Sequence, residues 1–190
     1  MILSDRDLKK AIKAGRLEFK PKLNPNQIGP ASIDLKLGPD FKTFHTSRLS
    51  ILDPKNGLPK DFMDSFHLKG KEAFILHPGS FVLASTREYI KVPDDILVRV
   101  EGKSTLARIG VLVHTAGFVD PGFEGAITLE ISNQSNVAVA LYPEMYICQI
   151  AAHLLSSPAE VPYNKRKKSL YLKARTTGAA NPRNLFHKKP

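Results

Sequence analysis

Tryptophan is absent from this 190-residue chain, and cysteine occurs once, at Cys148. A lone cysteine excludes an internal disulfide and any metal site built from several thiolates, and it suits a reducing compartment. No stretch approaches the ~18 consecutive apolar residues of a membrane span. The opening MILSDRDLKKAIK puts charges where a secretion signal needs its apolar core. The expectation is a cytoplasmic protein with no membrane partner. Acidic residues, too, run out: none follows Glu160. Beyond it lie nine cations, Lys165, Arg166, Lys167, Lys168, Lys173, Arg175, Arg183, Lys188 and Lys189, whereas residues 1–160 set the other 19 Lys and Arg against all 18 Asp and Glu. The net charge of +10 therefore belongs to a tail on a near-neutral body. Such a tail can coat a polyanion, close over a phosphorylated small molecule, or keep the protein in solution, and charge alone leaves the three open.

What is present is an ordinary globular composition, 42% hydrophobic and 24% charged, at the length of one domain. Ser4 to Lys13 reads as one short helix: Ser4 stands at the N-cap, Asp5 and Asp7 in the first turn, Leu8 and Ile12 at an i,i+4 spacing, and Gly15 at the stop. From Ala31 onward the pattern is of short alternating or β-branched runs cut by Pro and Gly: SIDLKL, FILHPGSFVLAST, DILVRVEG, AITLEIS, VAVALYP and YICQIAAHLL. Many short strands predict an all-β sandwich or barrel. Ser47 to Lys71 is rich in turn formers and reads as a long surface loop. The division expected is a β-domain over residues 1–160 and a basic tail over 161–190.

Three familiar chemistries fail on the residues. Gly102-Lys103-Ser104-Thr105 spells the end of a P-loop, but Leu97 stands where that loop needs its first glycine. What survives is a polar turn in which Lys103, Ser104, Thr105 and Arg108 crowd between two apolar strands, suited either to an anion or to solvent. Zinc-dependent deamination needs a Pro-Cys-x-x-Cys ligand pair that one cysteine cannot supply. The six histidines, at 45, 67, 77, 114, 153 and 187, never fall at i,i+2 or i,i+4, so no local metal cluster is expected. Cys148, in YICQI, reads as a small buried hydrophobe.

The most informative segment runs from His114 to Glu130, HTAGFVDPGFEGAITLE. Thr115, Ala116 and Gly117 are small enough for the backbone to approach a planar ligand, and Asp120-Pro121-Gly122 is a turn signal. In the strand that follows, Ala126, Thr128 and Glu130 share one face and Ile127, Leu129 and Ile131 the other. Glu130 is then either an exposed strand carboxylate or, with Asp120, one of two carboxylates converging on a cavity to orient and deprotonate water.

With these residues in view the chain resembles the dCTP deaminase branch of the trimeric dUTPase superfamily. MILSDRDL, ASIDLKLG from Ala31, FVLAST from Phe81, EGKSTLARIG from Glu101, TAGFVDPGFEGAITLEISN from Thr115 and SSPAEVPYN from Ser156 stand in the family's order and approximate spacing. The resemblance implies a distorted, jelly-roll-like β-barrel forming a homotrimer with active sites at subunit interfaces, closed by the C-terminal tail as a lid. It implies dCTP and dUTP as ligands, Mg²⁺ carried on the substrate triphosphate, no zinc, and dTTP as a feedback inhibitor. Nucleic acid is then not the expected partner.

Carried over by position, Glu130 matches the general base that activates water against C4 of cytosine. Ser104 and Arg108 match the groups that position this water from a neighbouring subunit. Asp120 matches the holder of the deoxyribose 3′-hydroxyl and of the hydrolytic water, and with these three it makes up the implied catalytic set. Substrate contacts are implied along Lys103, Ser104, Thr105, Leu106, Ala107 and Arg108, at Thr115, Ala116, Gly117 and Asp120, along Thr128, Leu129 and Glu130, and at Gln149 and Tyr163. Lys103 stands where an arginine is usual, which keeps the charge and loses the planar fork. The tail departs from the family's Lys-Tyr-x-x-Gln-x-Gly, reading Leu170-Tyr171-Leu172-Lys173-Ala174-Arg175, so that Lys168 or Lys173 would have to replace the missing lysine.

Members that only deaminate tend to carry a bulky residue after the Thr-Ala pair, and members that also cleave the triphosphate carry glycine, as at Gly117 here. The spacing from Ser104 to Asp120 is likewise that of dUTPases. The expected reaction is dCTP plus two waters giving dUMP, ammonia and pyrophosphate. The alternatives are deamination alone, dUTP hydrolysis alone, or a nucleotide-sensing or nucleic-acid-binding relative.

Overall fold

The structure is a computed structural model that describes residues 1–44, 51–59, 62–114, 117–167 and 169–185. It begins with the expected helix, α1 (Asp5–Lys13), which buries Leu8 and Ala11 and ends at Gly15 in the left-handed region, φ +67°. Ser4 holds the N-cap position, but its hydroxyl donates to Asp7 Oδ2 at 3.2 Å and caps no backbone N–H.

Strands follow in order: β1 (Glu18–Lys20), β2 (Ile33–Phe44), β3 (Met63–His67), β4 (Phe74–Leu76), β5 (Phe81–Lys91) and β6 (Ile96–Gly102). After the one-turn helix α2 (Ser104–Ala107) come β7 (Val111–His114), β8 (Phe118–Val119), β9 (Glu124–Asn133), β10 (Val139–Leu141) and β11 (Tyr146–Leu154). The long loop expected over 47–71 is in part strand: β3 pairs antiparallel with the end of β2, Asp40 opposite His67 and Phe44 opposite Met63. Its sequence, MDSFH, lacks the β-branched run that would announce a strand. The polar turn at Ser104 is helical for one turn, long enough to present Ser104 and Arg108 on the same side.

Among the described residues nine strands form one curled antiparallel sheet in the order β7-β9-β5-β2-β11-β6-β8, with β1 added beside β5 and β3 beside β2; β4 and β10 pair separately. Three register irregularities accompany the curl, one of them in the β11–β2 pairing between Tyr146 and Cys148. The β5–β9 register shifts between Ser85 and Tyr89, and the β2–β5 register between Leu37 and Phe41, and such bulges bend a strand and increase its twist. The β5 bulge is locked by a buried carboxylate: Glu88 accepts from Gln27 Nε2 and from the Lys36 backbone N–H, both at 2.9 Å. Thr86 Oγ1 donates to the Glu88 carbonyl at 2.8 Å and accepts from Ile127 N–H at 3.0 Å. Inside the curl lie Leu8, Leu17, Ile33, Leu35, Phe41, Ile90, Ile96, Leu129 and Ile131, all essentially without solvent exposure, and β5 and β9 are covered on both faces over part of their length. Cys148 is buried among them and burial pushes its thiol far above the usual range, which makes it inert packing. No helix among the described residues is long and apolar enough to cross a membrane.

Candidate active site

The alternation of β9 decides which side chains meet a cavity beside the sheet. Leu129 and Ile131 point into the core, so Ala126, Thr128 and Glu130 face the other way and line an open cavity of about 1040 Å³. Asp120 lines the same cavity from the turn after β8. That turn closes by a bond from Phe123 N–H to the Asp120 carbonyl at 3.0 Å, with Pro121 next and Gly122 at φ +80°, the arrangement in which a third-position glycine is needed. The two carboxylates that the sequence left as a convergent pair or a coincidence thus share one cavity.

Glu130 is flanked by Leu83 of β5 and His114 of β7. Its Oε2 atom is buried without a hydrogen-bond partner. Burial raises its carboxyl above the usual carboxylate range, offset in part by a bond from its own backbone and by the nearby His114. A half-buried carboxylate that lines a cavity is equipped to take a proton from a bound water there. His114 itself shares a 2.8 Å hydrogen bond with Ser132 Oγ.

The tail supplies the cavity's other wall. Tyr163 leans on Phe123, ring centroids 5.7 Å apart, and its backbone N–H donates to the Pro121 carbonyl at 2.7 Å. Lys173 N–H donates to the Glu124 carbonyl at 2.6 Å and Ala126 N–H to the Ala174 carbonyl at 2.8 Å, so the tail runs beside the start of β9. Gly178 N–H reaches Thr128 Oγ1 at 3.5 Å. Arg166, Leu170 and Tyr171 stand in the wall. A Cβ at Gly122 would lie 2.7 Å from Pro162 Cβ and 3.0 Å from Tyr163 N. Gly122→Ala is therefore expected to cost about 1–3 kcal/mol and to displace Tyr163, seen as a lower unfolding midpoint and a raised KM for the ligand.

The remaining expected residues divide. Gly117 lines the cavity, at φ +72°; Thr115 and Ala116 lie outside the described residues. Lys103, Ser104, Thr105, Ala107, Arg108 and Gln149 do not line the cavity of their own chain. They gather elsewhere: Lys103 Nζ pairs with Asp34 Oδ1 at 2.7 Å, Gln149 sits in register with Asp34 and Glu101, and Arg108 Nε reaches Ser104 Oγ at 3.4 Å. Leu106 and Leu129 are buried side chains, so contact with a ligand at these two positions is open to the backbone alone. Lys173, a proposed substitute for the family's lysine, is absent from the wall, and Lys168 lies outside the described residues. Sequence reasoning did not single out Arg166 or the aromatic wall of Phe44, Phe81 and Phe118. A count of tail cations cannot say which one meets the cavity wall.

The family model of dCTP deaminase-like proteins matches residues 2–154. A relative from Dictyoglomus thermophilum named "dCTP deaminase, dUMP-forming" is 50% identical over 173 residues, covering 90% of this chain and 89% of its own. One of the same name from Streptomyces griseus is 44% identical over 190 residues, 99% of this chain and 98% of its own. Among solved structures, the 2′-deoxycytidine 5′-triphosphate deaminase of Agrobacterium tumefaciens shares the fold, with a TM-score of 0.62 at 21% identity over 80% of this chain. This chain spans about half the length of that one, 47%. A match that starts at residue 2, ends with β11 at residue 154 and takes in both cavity carboxylates places this chain in the dCTP deaminase-like family.

Proposed function

We infer that this protein converts dCTP and two waters into dUMP, ammonia and pyrophosphate. The observation that carries the reading is identity near 50% along some nine-tenths of the chain with proteins named dCTP deaminase, dUMP-forming. The cavity supplies matching chemistry. Glu130 takes one proton from water as the oxygen bonds to C4 of cytosine and delivers it to the amino nitrogen, while the water's second proton ends on N3. The C4–N bond breaks, ammonia leaves with its electron pair, and a uracil carbonyl remains. Asp120 holds the sugar 3′-hydroxyl and orients the second water toward the α-phosphorus. That water's oxygen forms the new P–O bond as pyrophosphate departs.

Ser104 and Arg108 act on a neighbouring chain's cavity. In one chain they stand apart from Glu130 on the exposed side of α2; in this reading a homotrimer brings α2 of one subunit to β9 of the next. Lys103 and Gln149 come with it. In this reading Mg²⁺ arrives on the substrate, whose triphosphate oxygens are hard donors suited to magnesium. Bound there, it neutralises phosphate charge.

The test is incubation of the purified protein with dCTP and Mg²⁺, with ammonia and pyrophosphate measured together. Equal yields are expected. Ammonia alone means a deaminase that releases dUTP, pyrophosphate from dUTP with dCTP untouched means a dUTPase, and neither product means a binding protein.

Gly117 decides between the coupled and the single reaction. Cytosine and uracil reverse their hydrogen-bonding pattern at position 4 and N3, so one pocket serves both only through backbone groups or a water that can reorient. Gly117 sits at the cavity wall with a left-handed φ, its carbonyl held by the Val100 N–H at 3.1 Å, which leaves its own N–H and a bound water for the switch. Gly117→His is expected to suppress pyrophosphate release more than ammonia release, so that dUTP accumulates. Gly117→Ala carries the same backbone penalty, about 1–2 kcal/mol, without the ring, and is expected to lower both products alike. Proportional loss in both variants would remove the argument for a base-switching pocket.

A further inference from the structure

The cavity must accept a polyanion, yet its own charged side chains are mostly of the wrong sign. Asp120 and Glu130 face it, and among the described residues Arg166 is the one cation in its wall. Arg166 is also placed with some care. It ends the turn Tyr163–Lys165, its N–H donates to the Tyr163 carbonyl at 3.3 Å, and its own carbonyl accepts from Ser169 Oγ at 3.4 Å. That turn is pinned to the Pro121 carbonyl through Tyr163 N–H. The base of the side chain is thus fixed next to Asp120 while the head is exposed. Its ionic partner is Asp120, Nη1 to Oδ2 at 3.7 Å, too long for a hydrogen bond. The planar fork of N–H donors is uncommitted and matches two oxygens of one phosphate.

We propose that Arg166 is a substrate-binding residue that grips the nucleotide's polyphosphate, giving up its contact with Asp120 as the substrate enters. The exchange is favourable on both sides. Asp120 is released to the sugar hydroxyl, and the guanidinium moves from one oxygen at long range to a bidentate pair. The inference rests on the dCTP reading above.

The experiment compares wild type, Arg166→Ala and Arg166→Lys as full chains, with dCTP as substrate and 2′-deoxycytidine, which has base and sugar but no phosphate, as competitive inhibitor. Arg166→Ala is expected to raise KM for dCTP at least tenfold while kcat and the inhibition constant of deoxycytidine stay within about twofold, the size of effect charge-assisted pairs produce. Arg166→Lys should recover part of the loss, since it restores charge without the fork. An unchanged KM overturns the proposal. So does an equal weakening of dCTP and deoxycytidine, which would mean that Arg166 only positions Asp120. Wild type that fails to turn over dCTP defeats both readings, whereas wild-type turnover with an indifferent Arg166→Ala defeats this one alone.

Discussion

Glu130→Gln is expected to release no measurable ammonia from dCTP while remaining folded, a loss at or beyond the roughly 10² to 10⁴ of general acid–base catalysis. The amide keeps the shape of the side chain on β9 and its neighbours Leu83 and His114, but it cannot accept a proton. The same burial that leaves Glu130 Oε2 without a partner gives two further signatures. Burial raises the carboxyl in the folded state. The base must be ionised to act, so wild-type kcat/KM falls as pH drops through a value above the ordinary range for glutamate, about 4.3. For stability the sign is opposite. The native state holds this proton over a window where the unfolded chain has lost it, so the group's contribution is fully present below the ordinary value and is lost as pH rises through the raised one. At neutral pH the buried charge is a cost, and Glu130→Gln is expected to unfold at a temperature no lower than wild type. Retained deamination in the variant would take the proton-accepting role away from Glu130. A clear drop in its unfolding midpoint would show that the carboxylate is paired in the protein.

A chain ending at Pro162 is expected to keep a single cooperative unfolding transition and to lose about 10² or more in kcat/KM for dCTP, through a raised KM, lost turnover or both. The first half follows from where the core sits: its buried members lie between Leu3 and Ala152, all outside the removed segment. The second follows from what the tail covers. It places Tyr163 against Phe123, Arg166 near Asp120 and Gly178 at Thr128, and it anchors Thr177 by a 2.9 Å bond from its hydroxyl to the Asp40 carbonyl. A tail that serves nucleic acid behaves differently. The intact protein then binds DNA or RNA with affinity falling steeply as salt rises, and truncation leaves dCTP turnover untouched. That second pattern would end the reading of the tail as a lid.

The sequence by itself determined the fold class and the chemistry of the floor. Period-2 alternation in AITLEIS is a direct consequence of the pleat, so one buried face names the other, and Glu130 with Thr128 had to share a side once Leu129 and Ile131 were in the core. Asp120-Pro121-Gly122 was legible for the same kind of reason, a turn geometry that only certain residues satisfy. Segments of low β-propensity such as MDSFH in β3 escaped, because their pairing is enforced by the neighbouring β2 and not by their own residues. Tertiary structure alone decided three things. It brought Asp120 and Glu130 from different elements to one cavity, it set Lys103, Ser104 and Arg108 on another face of the same chain, and it placed Arg166, one of nine tail cations, in the cavity wall beside Asp120. Alternation fixes direction within a strand, but a tail without hydrophobic period has no local rule for which charge meets the site; only the bonds that dock it beside β9 make that choice.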